Sequence, residues 1–289
     1  MDYNINFPHL GIYLSHVGKN IRIGNFTIAY YGICIAVGML LGIAALCQRA
    51  KETGQKPDDY IDISIWTMIF AIVGARAYYV IFAWDLYKDN PLSVFNIRQG
   101  GLAIYGGIIA GIITLAVLSK IKKIRFLTLL DTCVIGLPIG QILGRWGNFF
   151  NREAFGRYTD GLFAMQLPVS AVRQNEITSA MWSHAVTVGG VQYIQVTPTF
   201  LYEGLWNCGV LLLLFLLRNH TKFKGEEFLI YVTGYGIGRF WIESLRTDQL
   251  LIPGTTIPVS MVVSAVAAGL ALLVIIYRHA KLARREAEV

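Results

Sequence analysis

The sequence predicts an all-α integral membrane protein of seven transmembrane helices with a small extracytoplasmic head segment. Three observations predict it: seven runs long and apolar enough to cross a bilayer, basic residues that alternate between the connections, and one long polar loop. The 289 residues are 55% hydrophobic and only 15% charged, with a mean hydropathy of +0.52. A water-soluble protein would have to place that excess of apolar atoms on its surface, whereas a bilayer accepts it.

A spanning helix needs about 20 predominantly apolar residues. Runs of this kind lie at 25–48, 60–83, 101–119, 127–148, 198–217, 227–245 and 257–278. Before the first comes a mixed stretch holding Asp2, Pro8, His9 and His16, so no removable signal peptide is expected and the first span serves as the targeting signal. The third run carries Gly106, Gly107 and Gly111, small residues that let membrane helices approach closely. Only the connection at 149–197 is long. Its mixture of polar residues with Tyr, Gly and Pro reads as an outer head on a single membrane domain of residues 1–289.

The connections at 49–59, 120–126 and 218–226, with the tail 278–289, hold 14 of the 25 Lys and Arg. The opposite side, made of 1–24, 84–100, 149–197 and 246–256, holds 8 over about twice the length. Positive residues stay inside, so the N-terminus is expected outside and the C-terminus in the cytoplasm. The net charge of +7 is thereby a topology signal, and no nucleic-acid partner is expected. All four cysteines lie within apolar runs without paired spacing, and the five histidines lie in loops or tails. Neither a disulfide nor a metal site nor a cofactor is expected.

The remaining three basic residues are Arg76, Arg145 and Arg239, which fall within spans or at their ends. A charge at membrane depth costs a few kcal/mol or more unless it is paired or lines a wet cavity. With the orientation above, these three and Glu243 lie in the outer halves of spans two, four and six, while Tyr105, Tyr202 and Glu203 lie near the outer starts of spans three and five. Seven polar groups on five helices thus share one depth. Tyr235, Arg239 and Glu243 are spaced four apart and stack along one helix face, as Arg145 and Asn148 do at spacing three. Two guanidinium forks suit a phosphodiester, since each donates parallel bonds to paired oxygens and stays protonated in apolar surroundings.

Other uses of the same residues stay open. Arg239 and Glu243 could form a purely structural ion pair while Arg145 snorkels to the interface. Arg76 could extend a phosphate site or anchor the second span at the interface, and Glu203 could line the site or serve helix packing. Tyr30, Tyr31, Trp84 and Trp241 read as belt or packing residues. Among functions, the main alternative is a phospholipid transporter or scramblase with an arginine-lined headgroup cavity. Against it, the polar groups gather toward one leaflet and no internal repeat is visible. An intramembrane protease lacks its signatures, there being no HExxH and no intramembrane His. A structural protein with ion-paired arginines is the third reading.

Four runs resemble the prolipoprotein diacylglyceryl transferase family, in its order and over nearly the whole chain. They are Gly100-Gly101-Leu102-Ala103-Ile104-Tyr105-Gly106-Gly107, Gly144-Arg145-Trp146-Gly147-Asn148-Phe149 through Glu153 and Gly156, Pro198-Thr199-Phe200-Leu201-Tyr202-Glu203, and Gly234-Tyr235-Gly236-Ile237-Gly238-Arg239 through Glu243. The resemblance implies a bacterial cytoplasmic-membrane enzyme, acting toward the outer leaflet. Its donor would be phosphatidylglycerol and its acceptor the lipobox cysteine of a prolipoprotein signal peptide held among membrane lipids. A thioether would form and glycerol 1-phosphate would leave. The resemblance makes Arg145 and Arg239 phosphate-handling residues, Asn148, Glu153 and Gly156 parts of the signature, and Tyr235 and Glu243 site residues. Many members carry His, assigned as the base, where this chain has Tyr105, and many carry His where it has Thr197. A phenol titrates near about 10, so Tyr105 is a weak substitute, and Glu243 and Glu203 are the other groups able to take the thiol proton.

Overall fold

The computed structural model describes residues Tyr3–Ile97 and Gly100–Glu288. Strands β1 (Tyr3–Phe7), β2 (Ile12–Val17), β3 (Asn20–Ile23) and β4 (Phe26–Ala29) come first. Helices α1 (Tyr30–Glu52), α2 (Pro57–Phe82), α3 (Ile104–Ile121), α4 (Phe126–Cys133) and α5 (Gly136–Asn151) follow. Then come β5 (Met165–Pro168), the short α6 (Ser179–Ser183), β6 (Val186–Val188) and β7 (Val191–Val196), and last α7 (Thr199–Leu217), α8 (Glu226–Leu245) and α9 (Val259–Ala287).

Six helices among the described residues are long and apolar enough to cross a membrane: α1, α2, α3, the stretch Phe126–Asn151 that joins α4 to α5, α7 and α9. Helix α8, which carries Glu226, Glu227, Arg239 and Glu243, coincides with the sixth predicted run but is not among these six. The first helix starts at Tyr30 rather than 25, because residues 20–29 pair as a hairpin, Ile21 opposite Ile28. The fourth run is two helices rather than one. Pro138 has no N–H to donate to the preceding turn, so it falls in the first turn of a new helix.

The all-helical expectation is too narrow, for the chain is mostly helical with a five-stranded antiparallel sheet of order β2-β1-β5-β7-β6. The loop 149–197 supplies three of its strands, and the N-terminal segment adds the other two, Asn6 opposite Gln166. Strand β5 is buried at every position and so has no alternation to betray it, and β6 is three residues long.

The chain divides into two compact units, Met1–Gly42 with Val134–Val289, and Ile43–Cys133. In the first, one apolar core joins sheet to helices: Ile5 and Phe7 of β1, Leu167 of β5 and Ile194 of β7 pack with Phe149 of α5 and Phe200 of α7. Burying each such side chain contributes about 1.5–3 kcal/mol, and the result fixes where α5 ends and α7 begins. In the second unit α2 and α3 are held together through glycine. A Cβ on Gly74 would stand 2.8 Å from the Gly106 carbonyl oxygen and overlap the Ala110 side chain. Gly74→Ala is therefore expected to destabilise by about 1–3 kcal/mol, whereas Gly269→Ala, with open space around its Cβ position, is expected to be neutral. Thermal unfolding of the two variants in detergent checks this, and equal melting temperatures would refute it.

Candidate active site

The site is assembled from the ends of three helices. Asn148 and Phe149 lie in the last turn of α5, and the chain then reverses through Arg152 and Ala154, both left-handed at φ 56° and 58°. The Glu153 N–H donates to the Asn148 carbonyl at 3.2 Å, and the Thr199 hydroxyl at the start of α7 donates to the Ala154 carbonyl. Beyond this turn the backbone is clamped on both sides. The Gly156 N–H donates to the Thr197 carbonyl at 2.9 Å, and the Arg157 N–H donates to the Leu245 carbonyl at the end of α8 at 2.8 Å. Only glycine fits at 156, since a Cβ would lie 2.8 Å from Thr197 Cβ and 2.9 Å from the Leu245 oxygen. The result holds the last turn of α5, the first turns of α7 and the last turns of α8 side by side.

Their charges meet on one carboxylate. Glu203, on the second turn of α7 and 1% exposed, places Oε1 2.7 Å from Arg145 Nη2 and Oε2 3.6 Å from Arg239 Nη1. Arg239 Nη2 pairs with Glu243 one turn further along α8 at 2.7 Å. Arg145 Nη1 donates to Asn148 Oδ1 at 3.1 Å, and Asn148 Nδ2 donates to Glu153 Oε1 at 3.1 Å, which also accepts from Asn151 Nδ2. Arg173 closes the chain, 3.8 Å from Glu153 and 3.2 Å from Glu176. Tyr235 sits one turn before Arg239 on α8, its ring stacked on Tyr231 at 5.7 Å.

This alternation of sign makes buried charge tolerable, since each ion is compensated by its neighbours. It is also incomplete. Arg239 Nη1 and both Glu203 oxygens are buried without a well-aligned hydrogen-bond partner among the described residues. Two guanidiniums thus stand a single carboxylate apart, one of them with an Nη1 that has no well-aligned acceptor.

A family model for prolipoprotein diacylglyceryl transferase matches residues 19–277. The chain belongs to the prolipoprotein diacylglyceryl transferase family. It is 42% identical over 225 residues to the phosphatidylglycerol–prolipoprotein diacylglyceryl transferase of Clostridioides difficile, covering 78% of this chain and 81% of that one. To the enzyme of the same name from Finegoldia magna it is 42% identical over 246 residues, covering 85% and 90%. To that of Thermosynechococcus vestitus it is 37% identical over 255 residues, covering 88% and 89%.

In this family member Arg145, Asn148, Glu153, Gly156, Glu203, Tyr235, Arg239 and Glu243 all lie on the connected elements just described, whereas Arg76 and Tyr105 belong to the second unit. Arg76 is 7% exposed and directs its donors to the backbone of the segment leading into α3. Nε donates to Val94 at 2.7 Å, Nη1 to Gly100 at 2.9 Å and Gly101 at 3.0 Å, and Nη2 to Ser93 at 2.9 Å and Asn96 at 3.4 Å. Its guanidinium also lies over the Tyr87 ring at 5.0 Å. Tyr105 follows in the first turn of α3, behind an Ala103 N–H that donates to the Ala75 carbonyl at 3.0 Å.

Sequence reasoning passed over Arg246. Its Nε is 3.9 Å from Glu243 Oε2, and its fork grips Asp248 at 2.9 and 2.7 Å. The signal was available, because Arg246 is three residues after Glu243. Desolvation pushes the Asp248 carboxyl up, but its bonds and charge attraction to Arg246 outweigh this and hold it below the ordinary aspartate range. A depressed folded-state value means the pair stabilises above the unfolded value, near pH 4, and loses its effect as the pH falls through the folded one. Asp248→Asn is thus expected to lower the melting temperature at pH 7, by an amount equivalent to about 1 kcal/mol or less, with the gap to wild type narrowing as the pH falls below the ordinary aspartate range. A gap that widens on acidification would contradict this assignment. Glu203→Gln, which removes the buried carboxylate that answers Arg145 at 2.7 Å and Arg239 at 3.6 Å, is expected to be more damaging, about 3–5 kcal/mol in stability. Melting of the two variants side by side checks the ranking.

Proposed function

We propose that Arg145 and Arg239 jointly hold the phosphate of phosphatidylglycerol while the lipobox cysteine of a prolipoprotein signal peptide attacks the adjoining glyceryl carbon. The chain is a multi-pass membrane transferase that moves a diacylglyceryl group from phosphatidylglycerol to prolipoproteins, as its family and relatives are. The observation that carries the residue-level reading is the convergence of both guanidiniums on Glu203.

In the reaction the thiolate forms a sulfur–carbon bond as the carbon–oxygen bond to phosphate breaks, and the electron pair departs on the phosphate oxygen as glycerol 1-phosphate. Negative charge grows on that phosphate, where preorganised guanidiniums stabilise it at little reorganisation cost. The same cations favour the thiolate over the thiol. Glu203 sets the spacing of the two arginines, and Asn148, Glu153 and Gly156 hold Arg145 in place from the turn behind it. Tyr235 and Glu243 border Arg239 on its own helix face. The thiol proton passes to Tyr105 or Glu243. Arg76, with its donors on the carbonyls of Ser93, Val94, Asn96, Gly100 and Gly101, acts as a backbone anchor ahead of Tyr105. No cofactor and no nucleic acid enters the scheme.

Seven spans in a single membrane domain fit this chemistry, α8 being the seventh. Its charged residues are sheltered by α7 and α9, against which it packs. The excess of Lys and Arg on the side of 49–59, 120–126, 218–226 and the C-terminal tail supports a cytoplasmic C-terminus, an outer N-terminus and an extracytoplasmic sheet over the site, toward the outer leaflet of the inner membrane. An apolar groove of about 870 Å³ lined by Tyr202, Trp206, Val210, Ile230, Gly234 and Trp241 supports lateral approach of a lipid.

Labelled phosphatidylglycerol and a lipobox peptide test the reading. Arg145→Ala and Arg239→Ala are each expected to reduce thioether formation by about 100-fold or more while the protein stays folded in detergent. Headgroup flipping without a thioether would favour the scramblase alternative. Full activity in Tyr105→Phe would take the phenol out of the proton path and leave Glu243.

A further inference from the structure

One helical turn below the charged level lies a second polar level on the same three helices. Asn207 follows Glu203 by four residues on α7, Gln141 precedes Arg145 by four on α5, and Tyr235 precedes Arg239 by four on α8. Helices α5 and α8 run toward the sheet end and α7 runs away from it, so all three steps lead the same way, about 5.4 Å further from the sheet. No charged residue occurs at this level on the three helices. Asn207 is 0% exposed, and neither its Nδ2 nor its Oδ1 has a hydrogen-bond partner among the described residues. Gln141 donates through Nε2 to the Tyr231 hydroxyl at 2.7 Å and leaves a buried Oε1 without one. Unanswered buried amides are destabilising, and an apolar residue of similar shape would serve the fold better.

We infer that Asn207, one turn beyond Glu203 on α7 and at the level of Gln141 and Tyr235 along their helices, is a lipid-recognising residue that donates its amide to an ester carbonyl of the diacylglyceryl group. This rests on the phosphate reading above. With phosphate on Arg145 and Arg239 and the acyl chains pointing to the bilayer centre, the ester carbonyls lie a few bonds inward of the phosphate, on the Asn207 side. They are neutral acceptors, and a neutral N–H donor answers them without placing another charge at depth. The esters are unchanged by the reaction. Their contact with Asn207 exists equally before and during the chemical step, so losing it raises KM and leaves kcat nearly untouched.

The test compares diester phosphatidylglycerol with a dialkyl ether analogue of equal chain length, which lacks the carbonyls, as donors to a lipobox peptide with the purified full-length chain. Wild type is expected to show a KM about tenfold lower for the diester. Asn207→Leu is expected to raise the diester KM about tenfold, to leave the ether KM within about twofold, and to melt no lower than wild type. Asn207→Ala provides the same comparison if the leucine does not fold. Equal wild-type KM values for the two lipids would overturn the inference whatever the variants do, as would a variant that weakens both lipids alike. Either result leaves the transferase reading standing, whereas a wild type that transfers from neither lipid overturns both.

Discussion

A carboxylate buried among apolar helices must be neutralised, and in this protein the neutralisation of Glu203 is what draws the site together. One glutamate on α7 answers a guanidinium on α5 and another on α8. Each ion alone would be too costly at that depth, and the desolvation penalty is recovered only where several opposite charges and amide donors close around it. Glu243, Asn148 and Glu153 extend the alternation outward on both sides. The arrangement is self-enforcing, because displacing any one helix end would leave at least one buried ion without its partner.

The sheet and the turn after α5 supply what electrostatics alone cannot, which is rigidity. Ion pairs tolerate an ångström of slack, whereas the backbone bonds of Gly156 and Arg157 to Thr197 and Leu245 do not. The core that joins Ile5, Leu167 and Ile194 to Phe149 and Phe200 pins the same helix ends from the other side. Catalytic groups held within a fraction of an ångström by elements that are themselves packed are the condition for preorganised electrostatics. Arg76 shows the same side chain put to the opposite use. Its donors are taken by carbonyls of one short segment, while Arg239 keeps a buried Nη1 without a well-aligned partner. Satisfaction of the guanidinium separates these two arginines more cleanly than position along the span does.

Much of this was legible before the structure. Apolar runs of about 20 residues are a strong signal, and the helices lie over the runs, although α1 is shifted by several residues, α9 runs on to Ala287 rather than 278, and the fourth run is split between α4 and α5. The spacing Tyr235, Arg239, Glu243 placed three polar groups on one face, and the ion pair between the last two follows. The sheet was not legible, because its strands are short, β5 is buried throughout, and its β1 partner comes from more than 150 residues away. Pairing over such a distance leaves no trace in local periodicity. Asn207 was hidden for a different reason. A single amide in the apolar run Gly204-Leu205-Trp206-Asn207-Cys208-Gly209 looks like a tolerated packing residue until its burial and its lack of partners are seen together.

The order of polar groups along the helices is itself informative. Nearest the sheet, the last turn of α5 and the turn after it carry the amides of Asn148 and Asn151 and the carboxylate of Glu153. Next come the two arginines, whose charge suits a phosphate. One turn further are neutral amides and phenols, and beyond them α7 carries only Val, Leu and Phe after Gly209 until Arg218. A phospholipid has the same sequence of chemistry along its length: a hydrated headgroup, a charged phosphate, neutral esters, then hydrocarbon. A passage built to move the headgroup across the membrane would need cationic or wet groups along its whole depth. A site that grades from charge to neutral donor to hydrocarbon within a few turns instead matches one lipid at one height, the arrangement that the proposed reaction at a single glyceryl carbon requires.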